Sequence, residues 1–196
     1  MNIFYLDPEP QECARQHCDK HVVKMCIEYA QLLSTAHRVI DGEIWEGRTT
    51  NGRRINRYFH PDGLMNLNLY KACHVNHPSA KWVRDSRANY EWLYEMWMFL
   101  CEEYTHRYGR KHASQEKLEY YLLLAPERIT ESNFTQPTPA MAQYPQCIVE
   151  GDSIKSYRNF YWADKREFAK WTKRNKPEWW SEYEWKGQQA ETISGR

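Results

Sequence analysis

The sequence predicts a mainly α protein, a single-domain helical bundle with a small β-hairpin near residues 43–60. Three observations carry this. Apolar residues recur at helical spacing in two long stretches, from about residue 10 to 40 and from 86 to 108. Asn51-Gly52, a dipeptide suited to a type I′ turn, separates residues 43–50 from residues 53–60. The 196 residues show no internal repeat and no linker, and they suffice for one sizeable core.

In chain order, residues 2–6 (Asn-Ile-Phe-Tyr-Leu) predict a short strand or an extended arm. Asp7-Pro8-Glu9-Pro10 opens the first helix, with acids and Pro where a helix N-terminus favours them. That helix is expected to run unbroken to about residue 40, where Asp41-Gly42 stops it. The hairpin comes next and carries Arg48, Arg53, Arg54 and Arg57. His60-Pro61-Asp62-Gly63 turns the chain into a short helix over 64–73, and His77-Pro78 starts another. Tyr90, Leu93, Trp97, Leu100, Cys101 and Tyr104 stripe one face of the long helix over 86–108, which ends at Gly109. A helix over 114–124 succeeds it. Four prolines make 125–150 a long loop, and Asp152 or Ser153 caps a last helix through about 173. The domain is expected to span 1–185, with a frayed polar tail over 186–196.

Composition limits the partners. Aromatics make up 15% of the chain, but the net charge is only +1, so nucleic-acid contacts would have to come from local basic patches. The six Cys contain no C-x-x-C pair, and Cys18, Cys26 and Cys101 lie in apolar pattern, which favours free thiols in a reducing cytosol. No apolar run approaches the ~20 residues of a membrane span, and the first residues lack the basic and apolar regions of a signal peptide. The expected location is the cytoplasm of a bacterial or phage-infected cell.

The chemistry concentrates in Gln16-His17-Cys18-Asp19-Lys20-His21 and, one more heptad along, Glu28. On one continuous helix His17, His21 and Glu28 would share a side, with Asp19 off that line. Glu28 is a candidate for acid–base or electrostatic work, or simply the partner of Lys24. The i, i+4 spacing of His17 and His21, with His74 and His77 as further donors, also suits a divalent metal; no other cofactor is implied. Neither Ser79 nor Cys18 has a nucleophile motif around it. Three basic runs stand out besides: Arg53, Arg54 and Arg57; Lys81, Trp82 and Arg84; and Lys165 to Lys176, which includes Lys173 and Arg174. In the second and third, Trp interleaves with the cations, a pattern that can hold phosphates and stack bases. The plainer alternative is a solvated helix face.

With these residues named, the chain resembles the phage-type pyrimidine-dimer DNA glycosylases, small all-helical repair enzymes. Asp19-Lys20-His21 followed by Glu28 is similar to that family's first-helix pattern, in which the Glu is the catalytic carboxylate. The Glu102-Glu103-Tyr104-x-x-Arg107-Tyr108-Gly109 ending and Lys176-Pro177-Glu178-Trp179 are similar to further family elements. His17-Cys-Asp-Lys-His21 and His77-Pro-x-x-x-Trp82 also look like phage-encoded proteins. The resemblance implies DNA as partner, with the N-terminal α-amine attacking the sugar C1′. Here position 2 is Asn, so that amine belongs to Met1 or, after Met removal, to Asn2. Ile27 and Gln31 stand where the family carries Arg.

These observations lead to a DNA-base-acting enzyme, most simply an N-glycosylase with or without lyase activity on modified or damaged pyrimidines. Glu28, His21 and the amine of Met1 or Asn2 would be catalytic. His17, Arg53, Arg54, Arg57, Lys81, Trp82, Arg84, Lys173 and Arg174 would hold DNA. The alternatives are an enzyme transferring a group onto a pyrimidine base, a hydrolase with a metal on His17, His21, His74 and His77, and a non-enzymatic binding or inhibitor protein.

Overall fold

The computed structural model describes residues 1–183. The expected tail over 186–196 lies outside them. The helices are α1 (Pro10–Gln16), α2 (Asp19–Ile40), α3 (Gly63–Asn68), α4 (Pro78–Asp85), α5 (Arg87–Tyr108), α6 (Ala113–Leu122) and α7 (Ser153–Phe160). Strands β1 (Glu43–Arg48) and β2 (Arg54–Phe59) form the two-stranded sheet. A 3₁₀ turn (Pro145–Cys147) lies in the long 125–150 segment, and a π-helical turn (Tyr161–Lys165) continues α7. No helix among the described residues is long and apolar enough to cross a membrane.

The core is one cluster centred on α2 and α5. Every residue of the predicted α5 stripe is buried. Trp97 fixes the two helices to each other: its ring is fully buried and its indole N–H donates to the Cys26 carbonyl at 2.8 Å. Truncating such a ring to Ala costs about 3–5 kcal/mol. All six cysteines are free thiols, five of them buried.

The expected helix over 10–40 is broken at His17–Cys18. Both residues take extended backbone (ψ 132 and 161°), and α2 starts afresh at Asp19. The break is held from outside. Arg107 donates to the carbonyls of Arg15 (3.1 Å) and His17 (3.0 Å), satisfying acceptors that a continuing helix would have used. The Asp19 amide donates to the Lys170 carbonyl at 2.8 Å. Consequently His17 and His21 are not an i, i+4 pair on one helix.

The hairpin has the register Glu43↔Phe59 through Arg48↔Arg54. Its turn is not type I′, which needs positive φ at two central residues. Only Gly52 has it there (80°), and its amide closes a turn onto the Thr49 carbonyl at 2.9 Å. This is a type I turn ended by a left-handed glycine, the usual three-residue hairpin. Gly42 is needed for a different reason, close approach of backbone. A Cβ there would stand 2.1 Å from the Arg38 carbonyl and 2.8 Å from that of Phe59. Arg38, buried at the end of α2, anchors the next two elements. Its guanidinium donates to the carbonyls of Tyr58, Asn66, Leu69 and Tyr70 and to the Asn66 side chain. The hairpin and α3 thus hang on one cation.

The last helix is shorter than expected. It gives way at Phe160 to the π turn, residues 169–177 run as a strap rather than a helix, and helix resumes over 178–183. Tertiary partners decide this. Trp171 and Trp179 donate to the Gln16 carbonyl and side chain (2.9 and 2.8 Å), and Thr172 donates twice to Asp19.

Candidate active site

Residues 1–6 form the arm, not a strand. Ile3, Phe4, Tyr5 and Leu6 are buried. The Phe4 amide donates to the Tyr29 hydroxyl (3.1 Å), and its carbonyl accepts from Cys13 Sγ (3.2 Å). The Met1 carbonyl accepts from Ser79 Oγ on α4 at 3.3 Å. The N-terminus is thereby pinned between α2 and α4.

Glu28 projects from the outer face of α2. Its side chain is 15% exposed and pairs at 3.2 Å with Lys24, which is 67% exposed. Val23 and Ile27 beside it are themselves open to solvent. The carboxylate is therefore partly exposed, and Ile27 does not bury it. The 73–77 segment is tied to the same helix, the Thr35 Oγ1 accepting the Cys73 amide at 3.2 Å. His77 caps α4, its Nδ1 accepting from the Ser79 amide at 3.2 Å.

Electrostatics groups these residues. Burial pushes the His77 pKa down, and the positive N-terminus and His74 push it further, while Glu28 opposes them. Burial pushes the Cys73 thiol up; the Thr35 hydroxyl opposes that, Glu28 adds to it, and the N-terminal charge opposes it. The α-amine and Glu28 thus both act on the same two side chains, and the chain start is held at this end of α4, where Ser79 bonds to both the Met1 carbonyl and His77. Lys81 is exposed one turn along α4 from His77. The hairpin borders this area, since Val75 and Asn76 share a cavity of about 370 Å³ with Arg54, Asn56 and Tyr58 of β2.

Other residues singled out in the sequence sit elsewhere. His17 is wholly buried, with Nδ1 2.7 Å from the Cys13 carbonyl and Nε2 2.9 Å from the Tyr29 hydroxyl. Burial holds its pKa down at about 4. It presents no surface to a phosphate. His21 bonds to the Tyr161 hydroxyl and stacks on Phe4 (4.2 Å between ring centres), and burial takes its pKa to about 2. It shares no hydrogen bond with Glu28, whose partner is Lys24. The tetrad His17, His21, His74 and His77 is not a ligand group among the described residues.

The basic runs separate in the same way. Arg53, Arg54 and Arg57 are exposed on the hairpin, with Arg54 3.3 Å from Glu46. Trp82 is a core residue whose indole donates to Thr135, so its ring is not free to stack on a base. Arg84 donates to the Val75 carbonyl at 2.7 Å. Lys173 donates to the His106 carbonyl, and Arg174 grips Glu103 at 2.8 Å. Glu103 and Asp19 both pair with buried Arg107 (2.7 and 2.8 Å), completing a structural network that joins α2, α5 and the strap. Sequence reasoning gave Cys73 and Thr35 no part in this neighbourhood, and only the left-handed backbone of His74 (φ 48°) marks their segment as unusual.

The family model for pyrimidine dimer DNA glycosylase matches residues 1–116. That is more than half of the 196 residues, and the chain belongs to this family. The match takes in the arm, the Glu28 helix, the hairpin and α5, and leaves out the strap. No curated protein and no solved structure matches the chain significantly.

Proposed function

We propose that this protein is a pyrimidine dimer DNA glycosylase that uses its N-terminal α-amine as nucleophile and Glu28 as the charge-stabilising group. The observation that carries the reading is the N-terminal arm bonded to α2 and α4, which brings the amine and Glu28 to act on the same two side chains, Cys73 and His77, beside exposed Lys24 and Lys81. Family membership supports DNA as the polymer.

In this mechanism the amine lone pair attacks C1′ as the bond from C1′ to the pyrimidine nitrogen breaks, its electrons leaving on the base. The Glu28 carboxylate faces the positive charge that develops at C1′, and such preorganised charge is worth several kcal/mol. It then takes the proton from the attacking nitrogen and delivers it to O4′ as the C1′–O4′ bond opens, leaving an iminium. Loss of a 2′ proton expels the 3′ phosphate, giving lyase activity. If water adds to the iminium before that elimination, it releases the amine and leaves an abasic site in an intact strand. Lys24, Lys81 and the hairpin arginines hold the flanking phosphates.

Borohydride trapping on an ultraviolet-irradiated duplex tests the reading. A reduced covalent adduct at the first residue is expected. Glu28→Gln should cut glycosidic cleavage by about 10²–10³ while leaving DNA affinity within about threefold. Cleavage without an adduct would remove the amine from the mechanism, and unchanged cleavage by Glu28→Gln would remove the carboxylate. No cleavage of any irradiated duplex by the unaltered protein would overturn the function.

A further inference from the structure

A second group of donors lies at the other end of α2. His37 and Asp41 are one turn apart there, and the hairpin brings the chain back so that His60 joins them. The donor atoms of these three residues all lie within 4.8 Å of one another. His37 is more than nine-tenths buried. Its Nε2 is 2.9 Å from the Tyr90 hydroxyl, and that hydroxyl donates its proton to the Leu122 carbonyl at 2.9 Å. Tyr90 must therefore accept from Nε2–H, which leaves Nδ1 buried and without a hydrogen bond of normal geometry, although the Leu124 backbone lies near enough to raise the ring's pKa. A buried polar atom without a partner calls for an explanation.

The other two residues fit the same account. His60 Nε2 is likewise buried and unpartnered. The Asp41 oxygens accept the amides of Glu127 (2.8 Å) and Arg128 (3.0 Å), which fixes the carboxylate and leaves each oxygen another lone pair. The group opens onto a cavity of about 810 Å³. We propose that His37, Asp41 and His60 bind a divalent first-row metal ion, zinc best by donor chemistry, with a remaining coordination position facing the cavity. Two imidazoles and one carboxylate suit zinc, whereas calcium and magnesium prefer oxygen donors throughout. The hydroxyl–imidazole relay from Leu122 through Tyr90 is the outer support that metal-bound histidines commonly have.

The geometry sets the cost. Two nitrogens bound to zinc at about 2.0–2.1 Å stand at most about 4.2 Å apart, so the ligands must close by roughly half an ångström. Coordination through His60 Nε2 moves the ring proton to Nδ1, at the expense of the 3.2 Å bond from the Asp62 amide. The Arg128 guanidinium, 3.5 Å from Asp41, is the resident competitor for the carboxylate. Nine residues of helix separate His37 from Glu28, about 13 Å, so the ion takes no part in chemistry at C1′. It joins the end of α2, the exit of the arginine hairpin and the 125–128 segment.

The test uses the full chain, stripped with chelator and titrated with zinc chloride. One ion per chain is expected, with Tm rising by about 5–10 °C at a hundredfold excess over Kd. Cobalt in place of zinc should give ligand-field bands without thiolate charge transfer, since no cysteine takes part. His60→Ala should weaken binding by roughly tenfold or more, and Arg128→Ala, which removes the competitor, should tighten it severalfold. No saturable zinc binding, a thiolate band, or unchanged affinity in His60→Ala would overturn the proposal. Should His60→Ala fail to fold, unchanged affinity in Arg128→Ala overturns it.

Discussion

Acid should unfold this protein well above the pH at which carboxylates titrate, because three histidines are buried as neutral rings. His17, His21 and His37 have folded pKa values near 4, 2 and 4, each lowered chiefly by burial. Unfolded, each titrates near 6.5. A base with a depressed folded pKa binds more protons when unfolded, so stability is complete above about pH 7 and falls as the pH drops below 6.5. Between pH 7.5 and 5 the three folded rings stay largely neutral while the unfolded ones charge, and each costs about 2 kcal/mol over that range, or roughly 6 kcal/mol together. That is a large share of an ordinary stability of about 5–15 kcal/mol. The hydrogen bonds give the reason at His17. Its Nδ1–H donates to the Cys13 carbonyl, and its Nε2 accepts from a Tyr29 hydroxyl that already accepts the Phe4 amide. A proton on Nε2 would set donor against donor. Urea unfolding of the chelator-stripped, metal-free protein at pH 7.5, 6 and 5 measures the loss. His17→Asn keeps a donor toward Cys13 without titrating, and should shrink the difference between pH 7.5 and 5 by about 2 kcal/mol. A change below about 1 kcal/mol in the unaltered protein across that range would refute the reasoning.

Two further outcomes come from the fold. Arg38→Ala leaves the carbonyl acceptors of Tyr58, Asn66, Leu69 and Tyr70 without their donor, and should destabilise by about 3–5 kcal/mol in urea titration. Arg38→Lys should not restore this, since an ammonium cannot reproduce the planar fork. Replacing Arg53, Arg54 and Arg57 together by Ala should weaken duplex binding and lower the slope of log K against log salt by about 1 for each phosphate no longer held. An unchanged slope would show that the hairpin does not touch the backbone.

What the sequence revealed, and what it hid, divides by the range of the interaction responsible. The α5 stripe, the hairpin and the Pro-rich segment rest on local periodicity and turn chemistry, and each appears where the pattern puts it. The break at His17–Cys18 depends on Arg107, ninety positions away, so no local propensity announces it. Trp82 and Arg174 look like a nucleic-acid face in one dimension, but their partners, Thr135 and Glu103, are distant in sequence; Trp82 is buried, and the Arg174 guanidinium is engaged at the surface. The grouping of His37, Asp41 and His60 was partly within reach. An antiparallel register of Glu43 with Phe59, extended by one residue, sets Gly42 opposite His60.

His17 and His21 still serve the proposed chemistry, though through the arm and not through Glu28. Phe4 is the link. Its ring lies on His21, and its amide reaches His17 through the Tyr29 hydroxyl. Three residues earlier is the amine. A nucleophile at a chain end would ordinarily sample a large volume, and holding it beside the reacting carbon saves that entropy at each turnover. Burying residues 3–6 meets this cost once, at folding, and two neutral imidazoles are suited to the work because a charged side chain in that position would carry a desolvation penalty. The low pKa values and the fixed N-terminus are therefore two consequences of the same packing. Acid that charges His17 breaks its bond to Tyr29, and Tyr29 holds the arm, so the amine should leave its place in the same step.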